Sequence, residues 1–481
     1  MKINNSKIIV PGVLLCALIF FAAGNYLVRP LWFDEALTVQ NFALLESIPA
    51  IYRNYVIPNN QLLYTMMLHI WIKLYGGFFA IDGWMRLLSL LLAAVTLVYT
   101  FRRFRVAYGT GVMAVILITF CLAPPFLLHA TALRGYMAGA CFTILALGAA
   151  LDYTGSGKAA SWARYFFFSL CSVAVLPSDM LALCGVILYT LPLCGRTFWK
   201  NKRFYFLIFT PCLGAVLFYL PILPGLLQVI KVGSNESWNN VTRVLLAVFL
   251  PQLYTFAMLL LPVTAALFMR PFKYARICRG VIWLLPLFPI LFFAAPPFPR
   301  VFFPLFPLFA LLTAGGLRDF TARYCRLKRK FNPRSWTGGL IILALFWCCV
   351  QQQSEIKTLF SKTCGNAGRD DFYFPYYLRS AHLPDMTAQQ AAHHETLRNA
   401  AGYYFTFDSD PWPLMFYLRL NGAAQPFLFD GPRGAVQQLP HNTAVILKKG
   451  EDQTALARRF PGNWHFVFEN KNHQVWSYTN L

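Results

Sequence analysis

The sequence predicts an all-α polytopic membrane protein that ends in a soluble domain of mixed α/β structure. Of its 481 residues, 57% are hydrophobic and only 13% are charged, a balance outside the range of soluble globular domains. Apolar runs of about 20 residues, the length that crosses a bilayer, recur from Lys7 to Gln351, and they provide about eleven spans. Past Gln351 the apolar runs shorten and Pro, Gly and Asp clusters appear.

The first apolar run, Ile8–Leu27, follows Lys2 and Lys7, and in this respect it resembles a secretory signal peptide. Its length of about 20 residues exceeds the roughly 7–15 residues of a usual signal core. We therefore expect a retained first helix with its N-terminus in the cytoplasm.

The positive charge of the chain, +23 in total, predicts the membrane topology. With the N-terminus inside, more than half of the Lys and Arg residues fall in inner segments, where only Asp152 and Asp319 oppose them. This bias satisfies the positive-inside rule. A uniformly basic surface for nucleic acid would not divide in this way, so no nucleic-acid partner is expected.

Residues 29–83 are predicted to form one large outer loop. The segment Gln61–Phe79 is apolar enough to be a span, but counting it as one would put the Arg102–Arg105 cluster outside and invert every later loop. Its Leu62–Tyr75 part is the helix in question. We assign it to a juxtamembrane helix on the outer face, with Trp71 and Tyr75 at interfacial depth.

The division into domains follows from hydropathy: 1–351 in the membrane, and 352–481 as a soluble domain on the outer side. In the latter, short runs such as Thr443–Leu447 alternate with helical patterns such as Asp452–Arg459, which favours a small α/β unit over an extended insertion with little sheet. Only Cys364 of the twelve cysteines belongs to it, so no disulfide framework is expected there.

The acidic pair Asp34-Glu35 directly follows the first span in a chain with only 19 acidic residues. Carboxylates at a membrane boundary are costly and are often functional. A solvated loop start is the alternative. Asp179, after Pro177 at an outer helix end, is interpreted as a helix cap.

Two arginines lie on the predicted outer face at the start of spans, Arg134 and Arg300. Snorkelling toward lipid headgroups is one explanation. The other is a phosphate clamp, because the planar guanidinium matches two phosphate oxygens, and a phosphate met at a membrane boundary is carried by a lipid.

Carboxylate and arginines on one face make coherent chemistry if the substrate is a sugar attached to polyprenyl phosphate. One carboxylate takes the proton from an acceptor hydroxyl that attacks the anomeric carbon. The leaving phosphate needs only charge stabilisation. The chain has no glycine-rich loop for a nucleotide donor. The alternatives are a transporter or flippase of a lipid-linked sugar, and a glycan polymerase or ligase with a longer donor.

Five segments, in order, resemble the integral-membrane GT-C glycosyltransferases of the protein-mannosyltransferase and aminoarabinose-transferase type. The resemblance covers about residues 8 to 350. The segments are Leu31–Ala36, Asn59–Tyr64 with Leu68–Gly76, Arg86–Ser89, Leu133–Met137 and Pro299–Pro307.

The resemblance implies a GT-C fold, an inner-membrane location with the active site on the periplasmic side, and a hexosyl- or pentosyltransferase. It makes Asp34 the base and Glu35 its helper, or with Asp34 a contact for Mg²⁺ or Mn²⁺. Two further sets are expected: donor phosphate on Arg134, Arg300 and Arg86; sugar or acceptor on Asn59, Asn60, Gln61, Tyr64 and Tyr136.

The expected partners are membrane lipids, the polyprenyl-phosphate sugar, and an envelope acceptor such as lipopolysaccharide or O-antigen, another glycan, a lipid or a protein. One departure is informative. Aminoarabinose transferases carry a Glu-Lys-Pro-Pro element where this chain has Asn59–Leu62, which argues against aminoarabinose as the sugar. The asparagines there either bind hydroxyls or cap the helix.

Overall fold

The structure is a computed structural model, and it describes the chain in segments separated by gaps. The described residues are 27, 31, 33–54, 61–77, 81–121, 124–194, 200–224, 273–287, 299–327, 392, 394–406, 412–423, 425–429, 436, 438–448, 450–469 and 473–479.

The chain divides into two compact units. The larger contains Met1–Leu27 and Glu46–Gly365, and we call it the membrane unit. The smaller contains Asn366–Leu481 together with Val28–Leu45, and we call it the C-terminal unit. The segment with the acidic pair thus belongs to the C-terminal unit, although it lies more than 300 residues earlier in the sequence.

The described part of the membrane unit is helical. Four of its helices are long and apolar enough to cross a membrane: Ile81–Tyr108, Tyr136–Ser156, Pro177–Cys194 and Lys202–Ile222. Shorter helices are Ile48–Arg53, Leu62–Lys73, Thr110–Cys121, Pro124–Thr131, Ala159–Val175 and Lys273–Leu284, and the 3₁₀ helix Pro299–Leu305 leads into Phe306–Leu327. A helical membrane fold is therefore confirmed, whereas several of the eleven predicted spans lie outside the described residues.

The helix ends group as the charge pattern predicts. Arg103 forms an ion pair with Asp152 at 2.6 Å, and Arg164 approaches the same carboxylate at 3.5 Å. Arg203 donates from Nη1 to the carbonyl of Thr154 at 2.7 Å. Residues of four predicted inner helix ends therefore meet at one end of the unit. These pairs are half-exposed and contribute little to stability. They indicate that these helix ends lie on the same side of the unit.

The helix predicted at Leu62–Tyr75 is present as Leu62–Lys73. A reciprocal tryptophan pair fixes it to the next helix: the indole of Trp71 donates to the carbonyl of Trp84 at 2.8 Å, and that of Trp84 donates to the carbonyl of Trp71 at 3.0 Å. The two rings stack with centroids 4.7 Å apart. Each indole N–H is thereby satisfied while its ring packs, as tryptophan at a polar–apolar boundary requires.

The C-terminal unit contains a five-stranded mixed sheet, which confirms the predicted α/β structure. Its strands are β1 (Gly402–Phe405), β2 (Phe427–Phe429), β3 (Thr443–Lys448), β4 (Asn463–Glu469) and β5 (His473–Thr479). The order is β2-β1-β3-β5-β4. β1 pairs in parallel with β2 and β3, and β5 pairs antiparallel with β3 and β4.

Alternating side chains of this sheet form its core with the helix Gln453–Arg459. The core consists of Tyr404, Leu439, Val445, Leu447, Leu456, Phe460 and Tyr478. The helix begins after Asp452, whose carboxylate accepts from the backbone N–H of Thr454 at 2.9 Å. Hydrogen bonds from Thr454 lower the pKa of Asp452, as expected of a carboxylate that caps a helix.

Candidate functional site

Three of the five sequence segments meet in the membrane unit. The hydroxyl of Tyr64 and that of Ser89 share a hydrogen bond of 2.7 Å, and Ser89 donates to the carbonyl of Ala132 at 2.6 Å. Arg86 donates from Nη1 to the carbonyl of Thr131 at 3.2 Å. All five residues are buried. Polar residues separated by up to 70 positions thus hold the turn that precedes Arg134.

Gln61 completes this arrangement. Its side-chain oxygen Oε1 accepts from the backbone N–H of Gly135 at 2.6 Å, and its backbone carbonyl accepts from Thr65 at the start of the juxtamembrane helix. The Gln61 side chain is fully buried. It makes no capping bond through its side chain, so its role is to bind the Gly135 turn.

Gly135 is the tightest point of the turn. A Cβ added there would lie 2.7 Å from Cγ1 of Val175, 2.8 Å from Cβ of Tyr64 and 2.9 Å from Cβ of Gln61. These neighbours are buried near their own backbones and have little freedom to move.

We expect Gly135→Ala to destabilise the protein by about 1–3 kcal/mol, the usual cost of overpacking. The measurement is thermal unfolding of the solubilised protein. Gly155→Ala is the matched control, since Gly155 lies in the helix Tyr136–Ser156 with nothing within 4 Å of an added Cβ. That control should be neutral or stabilising, because alanine is the better helix former. Equal effects of the two changes would contradict this account.

Arg134 lies in the turn itself, only 2% exposed. Its Cζ is 5.9 Å from the centroid of the Tyr136 ring, within the range of a cation–π contact. The Tyr136 ring is buried and lies 5.0 Å from the ring of His129. The guanidinium is therefore held away from water at the start of the helix Tyr136–Ser156.

The segment with Arg300 packs against the same place. Arg300 belongs to the 3₁₀ helix Pro299–Leu305, whose Phe303 ring lies 4.5 Å from that of His129. The backbone of Arg300 is thus in the neighbourhood of Arg134, while its side chain lies outside the described part. Asn59 and Asn60 also lie outside the described residues.

Asp179 is not the helix cap that the sequence suggested. It precedes the helix Met180–Thr190, but its side chain makes no capping hydrogen bond. It is fully buried instead, packed against the helix Tyr136–Ser156 at Gly139. The proline and aspartate pattern was correct for the helix start and wrong for the role of the carboxylate.

The acidic pair opens the helix Phe33–Thr38, the acidic helix. Asp34 is half-buried, whereas Glu35 is fully buried, because successive helical residues point about 100° apart. Both carboxylates lie in the first turn, where backbone N–H groups favour negative charge. The geometry thus separates the pair into one accessible and one enclosed carboxylate.

Two long-range hydrogen bonds tie the acidic helix to the helix Trp412–Leu420 within the C-terminal unit. The hydroxyl of Tyr417 accepts from the backbone N–H of Leu31 at 2.6 Å. The side chain of Gln40 donates to the carbonyl of Trp412 at 2.7 Å. One bond lies at each end of the acidic helix, so the C-terminal unit fixes its position. Nothing in the sequence of either segment indicated this pairing.

Among the residues that the structure describes, no group of three or more His, Cys, Asp and Glu side chains is arranged to hold a metal ion.

Comparison with solved structures identifies the fold. ArnT from Cupriavidus metallidurans bound to undecaprenyl phosphate matches with a TM-score of 0.61 at 13% identity, over 99% of this chain and 98% of that one. The apo state of the same protein matches with the same TM-score at 14% identity and the same coverage. This chain has the ArnT fold. The resemblance seen in the sequence segments is thereby confirmed at the level of the fold.

Other comparisons add less. The oligosaccharyltransferase of Archaeoglobus fulgidus, crystallised with Zn and sulfate, matches with a TM-score of 0.44 at 10% identity, over 96% of this chain and 72% of that one. No protein-family model matches the chain, and no curated protein matches it in sequence. The ArnT fold is therefore seen in the structure where sequence comparison finds no match.

Proposed function

We propose that the chain is a glycosyltransferase that moves a sugar from polyprenyl phosphate to a hydroxyl of a cell-envelope acceptor. The observation that carries the proposal is the ArnT fold over 99% of the chain, in a comparison structure described as bound to undecaprenyl phosphate. The acceptor is lipopolysaccharide or O-antigen, another glycan, or a protein. The protein resides in the inner membrane with its N-terminus inside, and the reaction takes place on the periplasmic side.

Asp34 acts as the general base in this proposal. As the acceptor oxygen bonds to the anomeric carbon, its proton passes to the Asp34 carboxylate, and the bond between the anomeric carbon and the phosphate oxygen breaks. Its partial exposure supports this role, since a base must reach the acceptor. The enclosed Glu35 is better suited to helping hold the acidic helix.

The phosphate leaves with the bonding electron pair as polyprenyl phosphate. It needs positive charge rather than a proton, and we assign that stabilisation to Arg134 with Arg300. Arg86 was expected to join them. Its hydrogen bond to the carbonyl of Thr131 favours a structural role instead, in which Arg86 holds the turn before Arg134. Gln61, Tyr64 and Tyr136 belong to the same buried turn and are proposed to form part of the donor site.

The transporter alternative gains no support from the ArnT fold, and the glycosyltransferase proposal explains the acidic pair and the arginines together. The direct test is sugar transfer from a panel of polyprenyl-phosphate hexoses and pentoses to envelope acceptors, in membranes with and without the chain. Transfer that depends on the chain supports the proposal. Flipping of the same donors without any transfer would replace it by the transporter.

Tyr417 offers a test of the link between the C-terminal unit and the base. Tyr417→Phe removes the acceptor for the Leu31 N–H but keeps the ring. We expect turnover to fall about 3- to 10-fold with KM for the donor unchanged, since a buried hydrogen bond is worth about 0.5–1.5 kcal/mol.

The matched control is Tyr403→Phe. Tyr403 is also buried in the C-terminal unit, where its hydroxyl donates to the carbonyl of Leu397 at 2.6 Å, away from the acidic helix. It should lower the unit's stability without lowering turnover. An equal loss of turnover in both variants would show that Tyr417 acts only through general stability.

A further inference from the structure

Two glycines on one face of the helix that follows Arg134 leave room for polar side chains. Gly135 and Gly139 are four residues apart, and the N–H of Gly139 donates to the carbonyl of Gly135 at 2.8 Å. They therefore share a face, about 6 Å apart along the axis. One turn further, Thr143 shares a hydrogen bond of 3.2 Å with Ser172. A Cβ at either glycine would collide with the side chains that lie over it.

The groups over these two glycines are Gln61 and Asp179. Gln61 covers Gly135, and the Oδ2 atom of Asp179 lies against Gly139. Both side chains are 0% exposed. By distance and angle, the Nε2 of Gln61 and both carboxyl oxygens of Asp179 have no hydrogen-bond partner among the described residues, and the nearby Ser172 hydroxyl favours the Asp179 carboxylate only through a weaker contact.

A buried donor over Gly135 and a buried acceptor over Gly139, each without a hydrogen-bond partner by distance and angle, are costly as they stand. Evolved cores rarely leave such groups unless a ligand or water completes them. A hydroxyl oxygen can accept from the amide and donate to the carboxylate at once. Two hydrogen bonds of about 2.8 Å each span the separation of one helical turn.

We propose that Gln61 and Asp179 bind one hydroxyl group of the transferred sugar, and so take part in choosing which sugar is used. This inference rests on the proposed function. Arg134, the proposed phosphate ligand, immediately precedes Gly135, so a sugar attached to that phosphate reaches this face of the helix. A buried water could make the same two hydrogen bonds, and the experiment separates the two sources.

The test combines enzyme variants with altered donors. Transfer is measured for the wild type, Asp179→Ala and Asp179→Asn, with the accepted polyprenyl-phosphate sugar and with its monodeoxy forms, each lacking one hydroxyl. Asp179→Ala should lower kcat/KM about 10- to 100-fold on the intact donor, the usual worth of a hydrogen bond to a charged group. On one monodeoxy donor, and on no other, the loss should disappear because the partner hydroxyl is already missing.

Asp179→Asn is the conservative variant and guards against a failure to fold. It keeps an acceptor oxygen, so it should retain part of the activity. It should also raise the thermal stability of the solubilised protein, because it removes an unpaired buried carboxylate. Asp152→Asn is the matched control, a half-exposed aspartate in an ion pair at the opposite helix ends, and it should not change donor preference.

Two results would overturn the inference. One is an equal loss on every monodeoxy donor, as expected if a structural water fills the site, and the other is no loss on the intact donor. A wild-type protein that transfers none of the sugars would instead contradict the proposed function. In that case, binding decides the inference: the wild type, but not Asp179→Ala, should be stabilised more by polyprenyl-phosphate sugar than by bare polyprenyl phosphate, and equal stabilisation would reject it.

Discussion

Asp34→Asn should lower sugar transfer about 10²- to 10⁴-fold, the usual contribution of a general base. The amide has nearly the volume and shape of the carboxylate, so the acidic helix should fold as before. It has no basic oxygen, so the acceptor proton has no place to go as the new glycosidic bond forms. Donor binding should be nearly unchanged, since we assign the donor phosphate to Arg134 and Arg300. Initial rates in membranes at matched expression provide the measurement.

Two further acid-to-amide changes sharpen this experiment. Glu46→Gln is the control: Glu46 is exposed in the same predicted outer loop and should leave transfer unchanged. Glu35→Gln alters the buried neighbour, and it should reduce stability more than Asp34→Asn does. Abolished transfer in Glu35→Gln with normal transfer in Asp34→Asn would reverse the assignment of the base.

Arg134→Ala has the second largest expected effect, a loss of about 10²- to 10³-fold in turnover, comparable to the removal of one transition-state donor elsewhere. Charge develops on the leaving phosphate, and a guanidinium 2% exposed acts on it without competition from water. Arg134→Lys keeps the charge but loses the planar fork. It should retain more activity than the alanine variant and bind the donor less tightly than wild type.

The control for Arg134 is Arg103→Ala, in the same unit. Arg103 pairs with Asp152 at the other helix ends, so its loss should leave both donor affinity and turnover close to wild type. A thermal-unfolding measurement on all three variants shows whether folding is intact. If Arg103→Ala and Arg134→Ala impaired transfer equally, a specific role of Arg134 with phosphate would be refuted.

The sequence was sufficient to predict those parts of the architecture that depend on local features of the chain. Runs of apolar residues predicted helices because backbone polar groups in lipid must bond within their own segment. The charge bias correctly grouped the ends that carry Arg103, Asp152 and Arg164. Pro, Gly and short β-prone runs predicted the sheet that contains Thr443–Lys448. Each of these signals is local, or repeats along the chain.

The sequence was insufficient where the structure depends on pairing between distant residues. Leu31 and Tyr417 are 386 positions apart, and neither has a pattern that indicates the other. The burial of Asp179 likewise depends on Gly139 in another helix, whose missing Cβ leaves room for the carboxyl group. An aspartate at the start of a helix is usually a cap, and only packing reveals that this one is enclosed.

The central claim is tested most directly with purified protein in lipid nanodiscs, loaded with a polyprenyl-phosphate sugar that the membrane assay has identified and with its acceptor. A single turnover of the wild type should yield glycosylated acceptor and free polyprenyl phosphate in equal amounts, and Asp34→Asn should yield neither above background. Equal product from both proteins would remove Asp34 as the base. Free polyprenyl phosphate without glycosylated acceptor would contradict transfer to a hydroxyl acceptor.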